Sequence, residues 1–338
     1  MPTSDASWGT PAPLPSHTGS RRISWSSLPR SVAAGIEGLL QGAVTTAISQ
    51  QGGFSDGLAV RLELSDGRKA FAKAVDTVAA PAVGEFHRRE IAVAGGLPSG
   101  VPAPRLLGSF DDGEWVALVF EDIDGALPAQ PWREAELRRV LDAVTDLAEG
   151  LTPAPPRDLA YPAPRLGGWR RLADNPRALR KLTEISPRTA DELEAHLSLE
   201  AHLAEATAGE TLTHGDLYPF NILLTADRVV VVDWPHAWAG PRHADLVMLL
   251  GSVALSGIDP EPFAARHPLL TGVERDAVDV LISAQAGFLL AAACSMDSTG
   301  DPRLARMMTG LGLASLRWLS VRHDGTGAGR GGAPAGGR

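Results

Sequence analysis

At 338 residues and 35.5 kDa, with 44% hydrophobic and 21% charged residues, the chain can bury one large or two modest cores, and general disorder is excluded. A formal net charge of −9, with no Lys/Arg-rich run, argues against a nucleic-acid partner. Cys294 is the only cysteine, so neither a disulfide framework nor a cysteine-built zinc site is possible, and its apolar neighbours mark it as a buried inert thiol. The opening segment has Ser, Pro and Thr but no apolar core, so it does not read as a secretory signal. Of the most apolar stretches, Leu246 to Leu255 is too short for a bilayer, and Val278 to Cys294 contains Asp279 and Gln285. No membrane partner and a cytoplasmic location are expected.

In chain order, residues 1–22 are rich in Pro, Ser and Thr without periodicity and are expected to be disordered. A helix is predicted near Ser31 to Leu40. Strands follow at Val44 to Ser49, Ala59 to Leu64 and Ala70 to Val75, with turns at Gly52-Gly53 and Ser65-Asp66-Gly67. A helical pattern covers Pro81 to Leu97, and two strands, Arg105 to Phe110 and Trp115 to Phe120, flank Asp111-Asp112-Gly113. This composition gives a small α+β lobe over residues 23–124, ending at Asp124-Gly125. From 125 to 323 the pattern is mainly helical, with helices at Glu134 to Leu147, Arg188 to Ala206, Arg242 to Leu255, Val273 to Cys294 and Pro302 to Val321. Thr152 to Arg165 is a Pro-rich extended crossing, and residues 324–338 form a flexible Gly-rich tail.

The chemistry concentrates between His214 and Trp234, in H-G-D-L-Y-P-F-N followed by V-V-V-V-D-W. Asp216 could accept the proton of an attacking hydroxyl, while Asn221 and Asp233 are hard oxygen donors suited to magnesium on a nucleotide's phosphates. Taken singly, Asp216 could be a turn residue after Gly215, Asn221 the start of a strand, and Asp233 a turn acid after four valines. An independent pair comes from periodicity. Alternation along Lys69 to Val75 puts Phe71, Lys73 and Val75 on one face, where a buried ammonium needs a partner. On the helix from Pro81, a stripe of Val83, Phe86, Glu90, Val93 and Leu97 turns Glu90 inward to meet it.

The five-residue Asp-to-Asn interval, with the later Asp, matches the protein-kinase H-R-D-x-x-x-x-N and D-F-G elements, with Gly215 for the Arg and Trp234 for the Phe. In this form the chain resembles the aminoglycoside phosphotransferase family, small-molecule kinases on the protein-kinase fold. The resemblance runs from about Ile36 to Val321. It implies a bilobal α+β fold, with a β-rich N-terminal lobe, a mainly helical C-terminal lobe and the active site between them. It assigns Asp216 as the catalytic base, Asn221 and Asp233 as magnesium ligands, and Lys73 with Glu90 as the pair that orients the nucleotide phosphates. His214 would brace the metal-binding turn, and Asp245 would anchor the catalytic loop unless it is a plain helix-start acid. Gly53 and Ser55, in Gly52 to Gly57, resemble the phosphate-covering loop. Phe71 could stack on adenine or serve as lobe core, and the Glu121 carbonyl and Ile123 amide would read the adenine edge. Trp234, His236, Trp238 and His243 could line the cleft, though core packing is their commoner fate. The implied activity is ATP- or GTP-dependent, magnesium-assisted phosphoryl transfer to a hydroxyl of an aminoglycoside-like antibiotic or small metabolite. Two rivals stay open: a nucleotide-binding regulatory protein without turnover, and a protein-serine kinase, against which the absence of A-P-E after Asp233 counts.

Overall fold

The computed structural model describes residues 22–50, 56–156, 159–297 and 301–327. Gly53 and Ser55 lie outside the described residues, as do most of the expected N-terminal disordered segment and the end of the Gly-rich tail. The described chain divides into two compact units, one of residues 22–164 and 208–246 and the other of residues 165–207 and 247–327.

In the first unit, α1 (Arg30–Leu40) buries Val32, Ile36 and Leu40, one stripe at helical spacing. The strands β1 (Val44–Ser49), β2 (Leu58–Leu64), β3 (Lys69–Asp76), β4 (Leu106–Asp111) and β5 (Trp115–Glu121) form an antiparallel sheet in the order β1-β2-β3-β5-β4. Between β3 and β4 lies α2 (Pro81–Gly96). Period-two alternation sorts the two faces of the sheet. Ala70, Ala72 and Ala74 join Leu58, Val60 and Leu62 in a core with Val32 and Ile36 of α1, while Val75, Val116, Leu118 and Phe120 pack with Ala94 of α2. Lys73 therefore opens onto the α2 side, in line with the alternation. The predicted stripe on α2 needs one correction. Its buried residues are Gly84, His87, Glu90, Val93 and Ala94, whereas Phe86 is 38% exposed. Phe86 packs edge-on against the His236 ring at 5.0 Å instead of entering the core.

After β5 the chain returns through α3 (Glu134–Gly150), which buries Leu137, Val140, Leu141, Val144, Leu147 and Ala148 at helical spacing. This apolar face packs against β6 (Thr211–Thr213) and β8 (Val229–Val231). β7 (Ile222–Leu224) pairs with β8, and β6 pairs with β9 (Trp238–Gly240). Ala126 and Leu224 exchange backbone hydrogen bonds of 3.0 and 2.8 Å, tying the segment beyond β5 to the β7–β8 hairpin. The start of the Pro-rich crossing runs beside β6, with Leu212 N–H donating to the Leu151 carbonyl and Ala154 N–H to that of Glu210.

The second unit is helical: α4 (Trp169–Ala173), α5 (Pro176–Ile185), α6 (Pro187–Asp191), α7 (Leu193–Glu200), α8 (Leu203–Ala206), most of α9 (Ala244–Leu255), α10 (Glu261–Ala264), α11 (Arg275–Ser295) and α12 (Pro302–Gly327). Where one helix was predicted over 188–206, three short ones occur. Glu200, at the end of α7, has a carboxylate that accepts the N–H groups of Gly168, Trp169 (3.0 Å) and Arg170 (2.8 Å) and so caps α4 from a distance. α12 runs past its expected end at Val321. α11 is apolar and long enough to cross a membrane by length and composition, but most of it is buried inside its own unit, packed along α12. On α11, Asp279 is buried and receives Arg322 Nε at 2.6 Å, and Arg322 also reaches Glu261 at 2.8 Å.

Candidate active site

Every described residue singled out from the sequence as a site residue belongs to the first unit. β3 and α2 contribute the first pair. Lys73 Nζ donates to both carboxylate oxygens of Glu90, at 2.8 and 2.9 Å, and to Asp233 Oδ1 at 2.6 Å. Burial alone would depress the lysine's pKa, but the Asp233 and Glu90 charges outweigh it and hold the ammonium above its ordinary value. Asp233 shows the reverse balance: burial would raise its carboxyl, yet Lys73 draws it down to about 2. Glu90, only 2% exposed, is raised, burial being the larger influence. The Asp233 side chain keeps 40% of its surface accessible, so it can serve Lys73 with one oxygen and a ligand with the other.

The loop after β6 supplies the second group. Asp245, at the start of α9, accepts the backbone N–H of His214 at 2.6 Å and of Gly215 at 3.0 Å. Two buried donors are thereby satisfied and the loop is fixed at its base; burial pushes the Asp245 carboxyl up. His214 lies within 3.0 Å of the Val232 carbonyl through Nε2, and its Nδ1 is 3.3 Å from the Asp216 N–H. Those partners define one tautomer, with Nε2 donating and Nδ1 accepting, so His214 spans from the loop to the residue before Asp233. Gly215 has φ +75°, and a Cβ there would stand 2.4 Å from the His236 carbonyl oxygen. That closeness explains why a glycine takes the place of the arginine of the protein-kinase motif. Asp233 itself is left-handed at φ +71°, a turn that acids tolerate better than most residues and that swings its carboxylate out of the valine strand.

Asn221 ties Asp216 to the strand that ends before Asp233. Its Nδ2 donates to the Asp216 carbonyl at 2.8 Å and to Asp216 Oδ2 at 3.0 Å, and its carbonyl accepts from Val232 N–H at 2.9 Å. Both partners of Nδ2 are pure acceptors, so the amide orientation is dictated and Oδ1 is left as an oxygen donor. Among the described residues no three His, Cys, Asp or Glu side chains form a metal cage. The donor set is one amide oxygen and one carboxylate, which fits a cation that keeps several waters and shares phosphate oxygens.

The remaining candidates are placed less decisively. Phe71 is partly buried against the α2-side core and pairs with Phe120 across the β3–β5 ladder. Glu121 ends β5, its N–H bonded to the Arg105 carbonyl and its carboxylate near Arg228, and Ile123 follows outside any strand or helix. Trp234 and Trp238 are buried; Trp234 packs edge-on against His214 at 4.8 Å and Trp238 lies against Gly215. Three neighbours were not anticipated. Asp122, between Glu121 and Ile123, is held bidentately by Arg61 at 2.7 and 2.6 Å. His87 is buried one turn before Glu90, and burial reinforced by the Lys73 charge lowers its pKa to about 4. Its i−3 spacing from Glu90 was the available signal. Arg22, the first described residue, feels the charge of Asp233 and pairs with Gly57; nothing in its local sequence signals this.

A buried lysine held by two carboxylates, together with an acid, an amide and a second acid on two adjoining turns, is the kind of arrangement that phosphoryl transfer requires. Comparison with known proteins agrees. The model of the phosphotransferase enzyme family matches residues 50–278, and the chain belongs to that family. It is 30% identical over 174 residues to an aminoglycoside 3'-phosphotransferase of Streptomyces fradiae, covering 48% of this chain and 62% of the relative. A second, from Streptomyces ribosidificus, is 29% identical over 174 residues, covering 48% and 63%. The matches thus span less than two thirds of these curated relatives. Among solved structures, a thermostable mutant of the aminoglycoside phosphotransferase APH(4)-Ia, in complex with ADP and hygromycin B, aligns with a TM-score of 0.55 and 17% identity, over 85% of this chain and 98% of that one. A Thermobifida fusca protein provisionally assigned as a fructosamine-3-kinase aligns with a TM-score of 0.52 and 22% identity, over 86% and 100%. The fold is therefore the α+β, protein-kinase-like fold of these enzymes.

Proposed function

We propose that this protein is a small-molecule kinase that transfers the γ-phosphoryl group of ATP or GTP to a hydroxyl of an aminoglycoside-like antibiotic or a similar polyhydroxylated metabolite. The observation that carries this reading is that Lys73, Glu90 and Asp233 form one hydrogen-bonded set and Asp216 and Asn221 a second, drawn from separate segments and joined through His214 and Val232. Asp216 orients the acceptor hydroxyl and takes its proton. Lys73 neutralises charge on the phosphates, with Glu90 holding the ammonium in place. Asn221 Oδ1 and the open oxygen of Asp233 would hold magnesium, which when bound offsets the charge developing on the phosphoryl oxygens. Catalysis of this kind is mainly positioning and electrostatics, which suits a site so heavily fixed by hydrogen bonds.

The same reading makes residues 23–124 the nucleotide-binding lobe and 125–323 the catalytic and substrate lobe, with Glu121 and Ile123 backbone groups at the adenine edge. The proposed partner is a small hydroxylated acceptor, and the proposed location is cytoplasmic. The test is nucleotide consumption by the purified chain with magnesium, across aminoglycosides, other hydroxylated antibiotics and small metabolite alcohols, with product mass recorded. An acceptor that gains one phosphoryl group is the expected result. A chain that binds no nucleotide and yields no product would overturn the reading.

A further inference from the structure

We propose that Arg22 is a second cationic ligand for the nucleotide's phosphate chain, standing beside Lys73; the proposal rests on the phosphotransferase reading and adds a residue to it. Arg22 forms a parallel bridge with Gly57, and the next residue, Ile23, donates its N–H to the Gly57 carbonyl at 3.2 Å. Gly57 has φ +110°, and a Cβ on it would lie 2.5 Å from the Ala74 carbonyl oxygen. Ala74 follows Lys73 on β3 and pairs with Leu58, the first residue of β2. Backbone contacts thus lead from the chain of Lys73 to Gly57 and on to Arg22. The arginine is held there because the segment behind it is anchored: Ile23 and Trp25 pack against the core that contains Leu28, Val32, Leu58 and Val60.

The half-buried guanidinium lies in the field of two carboxylates, Asp233 and Asp56. In the proposed reading Asp233 is a metal ligand, while Asp56 is next to Gly57, two residues before β2. The charge balance calls for such a cation. Lys73, whose ammonium is already bonded by two carboxylates, and the proposed magnesium only balance Glu90, Asp216 and Asp233, which leaves no surplus positive charge for a polyphosphate. His87, buried one turn before Glu90, is neutral at pH 7. A polyphosphate entering this site needs a further positive group, and guanidinium is the side chain best matched to phosphate oxygens.

The experiment compares the full-length chain with Arg22→Ala and Arg22→Lys. Calorimetric titration with magnesium measures affinity for ATP and GTP, for their diphosphates, and for adenosine and guanosine. Arg22→Ala should weaken triphosphate binding by about tenfold or more, leave nucleoside affinity and thermal stability near wild type, and be partly rescued by Arg22→Lys. Unchanged triphosphate affinity in Arg22→Ala would reduce Arg22 to an ion-pair partner of Asp233 and overturn the proposal. So would an equal loss for nucleosides, which marks a structural role, or tighter binding, which marks a blocking one. Both of these leave the phosphotransferase reading intact. A wild-type chain that binds no phosphorylated nucleotide would remove that reading, and this proposal with it.

Discussion

Asp216 and Asp233 are carboxylates that their surroundings set to different tasks. Asp233 is committed to its charge by Lys73 at 2.6 Å, which suits its proposed role as a metal ligand, while Asp216 is aimed by Asn221 at 3.0 Å. Asp216→Ala is therefore expected to cut turnover by about 10²- to 10⁴-fold while the affinity for magnesium nucleotide stays close to wild type. Undiminished turnover would remove Asp216 as the base. Asp233→Ala should act on binding, because it deletes the proposed metal oxygen and unbalances Lys73; a magnesium-nucleotide titration showing unaltered affinity would sink its metal role. Lys73→Ala carries a further cost in stability. It leaves Glu90 buried without its ammonium, a loss on the order of 3 kcal/mol that calorimetry would register as a lowered Tm.

At the scale of elements, the proposed catalytic loop depends on Gly215. An alanine there must hold φ +75° with its Cβ almost on the His236 carbonyl, so the loop has to shift between β6 and Asp216. Gly215→Ala should destabilise by about 2 kcal/mol or more and lower kcat more than nucleotide affinity, since Asp216 moves while Lys73 and Glu90 do not. A variant with wild-type kcat would show that the turn tolerates a side chain. This loop was legible in the sequence because its chemistry is written in consecutive residues, and Lys73 and Glu90 were legible because strand and helix periods each turn one charged side chain inward. Phe86 was misplaced by the same reasoning: a helical stripe one residue wide of the true one also reads as apolar, and only the packing with His236 decides. α4 and α5 were missed although Asn175-Pro176 is a capping residue before a proline, with the Asn175 side chain accepting from Arg177 and Ala178 N–H. The break at Ser186-Pro187 carries the same signal. The contact between Arg22 and Gly57 left no trace in sequence because it joins residues 35 positions apart through backbone atoms.

For the whole molecule, three buried histidines set the response to acid. His87 and His243 in the first unit and His196 in the second all have pKa values lowered to about 4, burial being the leading cause in each. Unfolded histidine titrates near 6.5, so between about 6.5 and 4 the unfolded chain binds protons that the folded chain refuses. The stability from each neutral histidine is complete above about pH 6.5 and is lost as pH falls towards 4, on the order of 2–3 kcal/mol apiece. Asp245 and Glu90, raised by burial, act in the opposite sense over part of this range, and the depressed Asp233 gives up its contribution only below the ordinary Asp value. The measurement is therefore a difference between two proteins. His196 stacks on Trp169 at 4.3 Å and meets Ser283 at 3.1 Å through Nδ1, so His196→Phe keeps the ring contact and removes only the titration and one polar bond. Melting curves from pH 7.5 to 4.5 should show Tm falling with pH in both proteins, and falling less steeply in His196→Phe. Parallel curves would mean that His196 does not stay neutral in the folded chain.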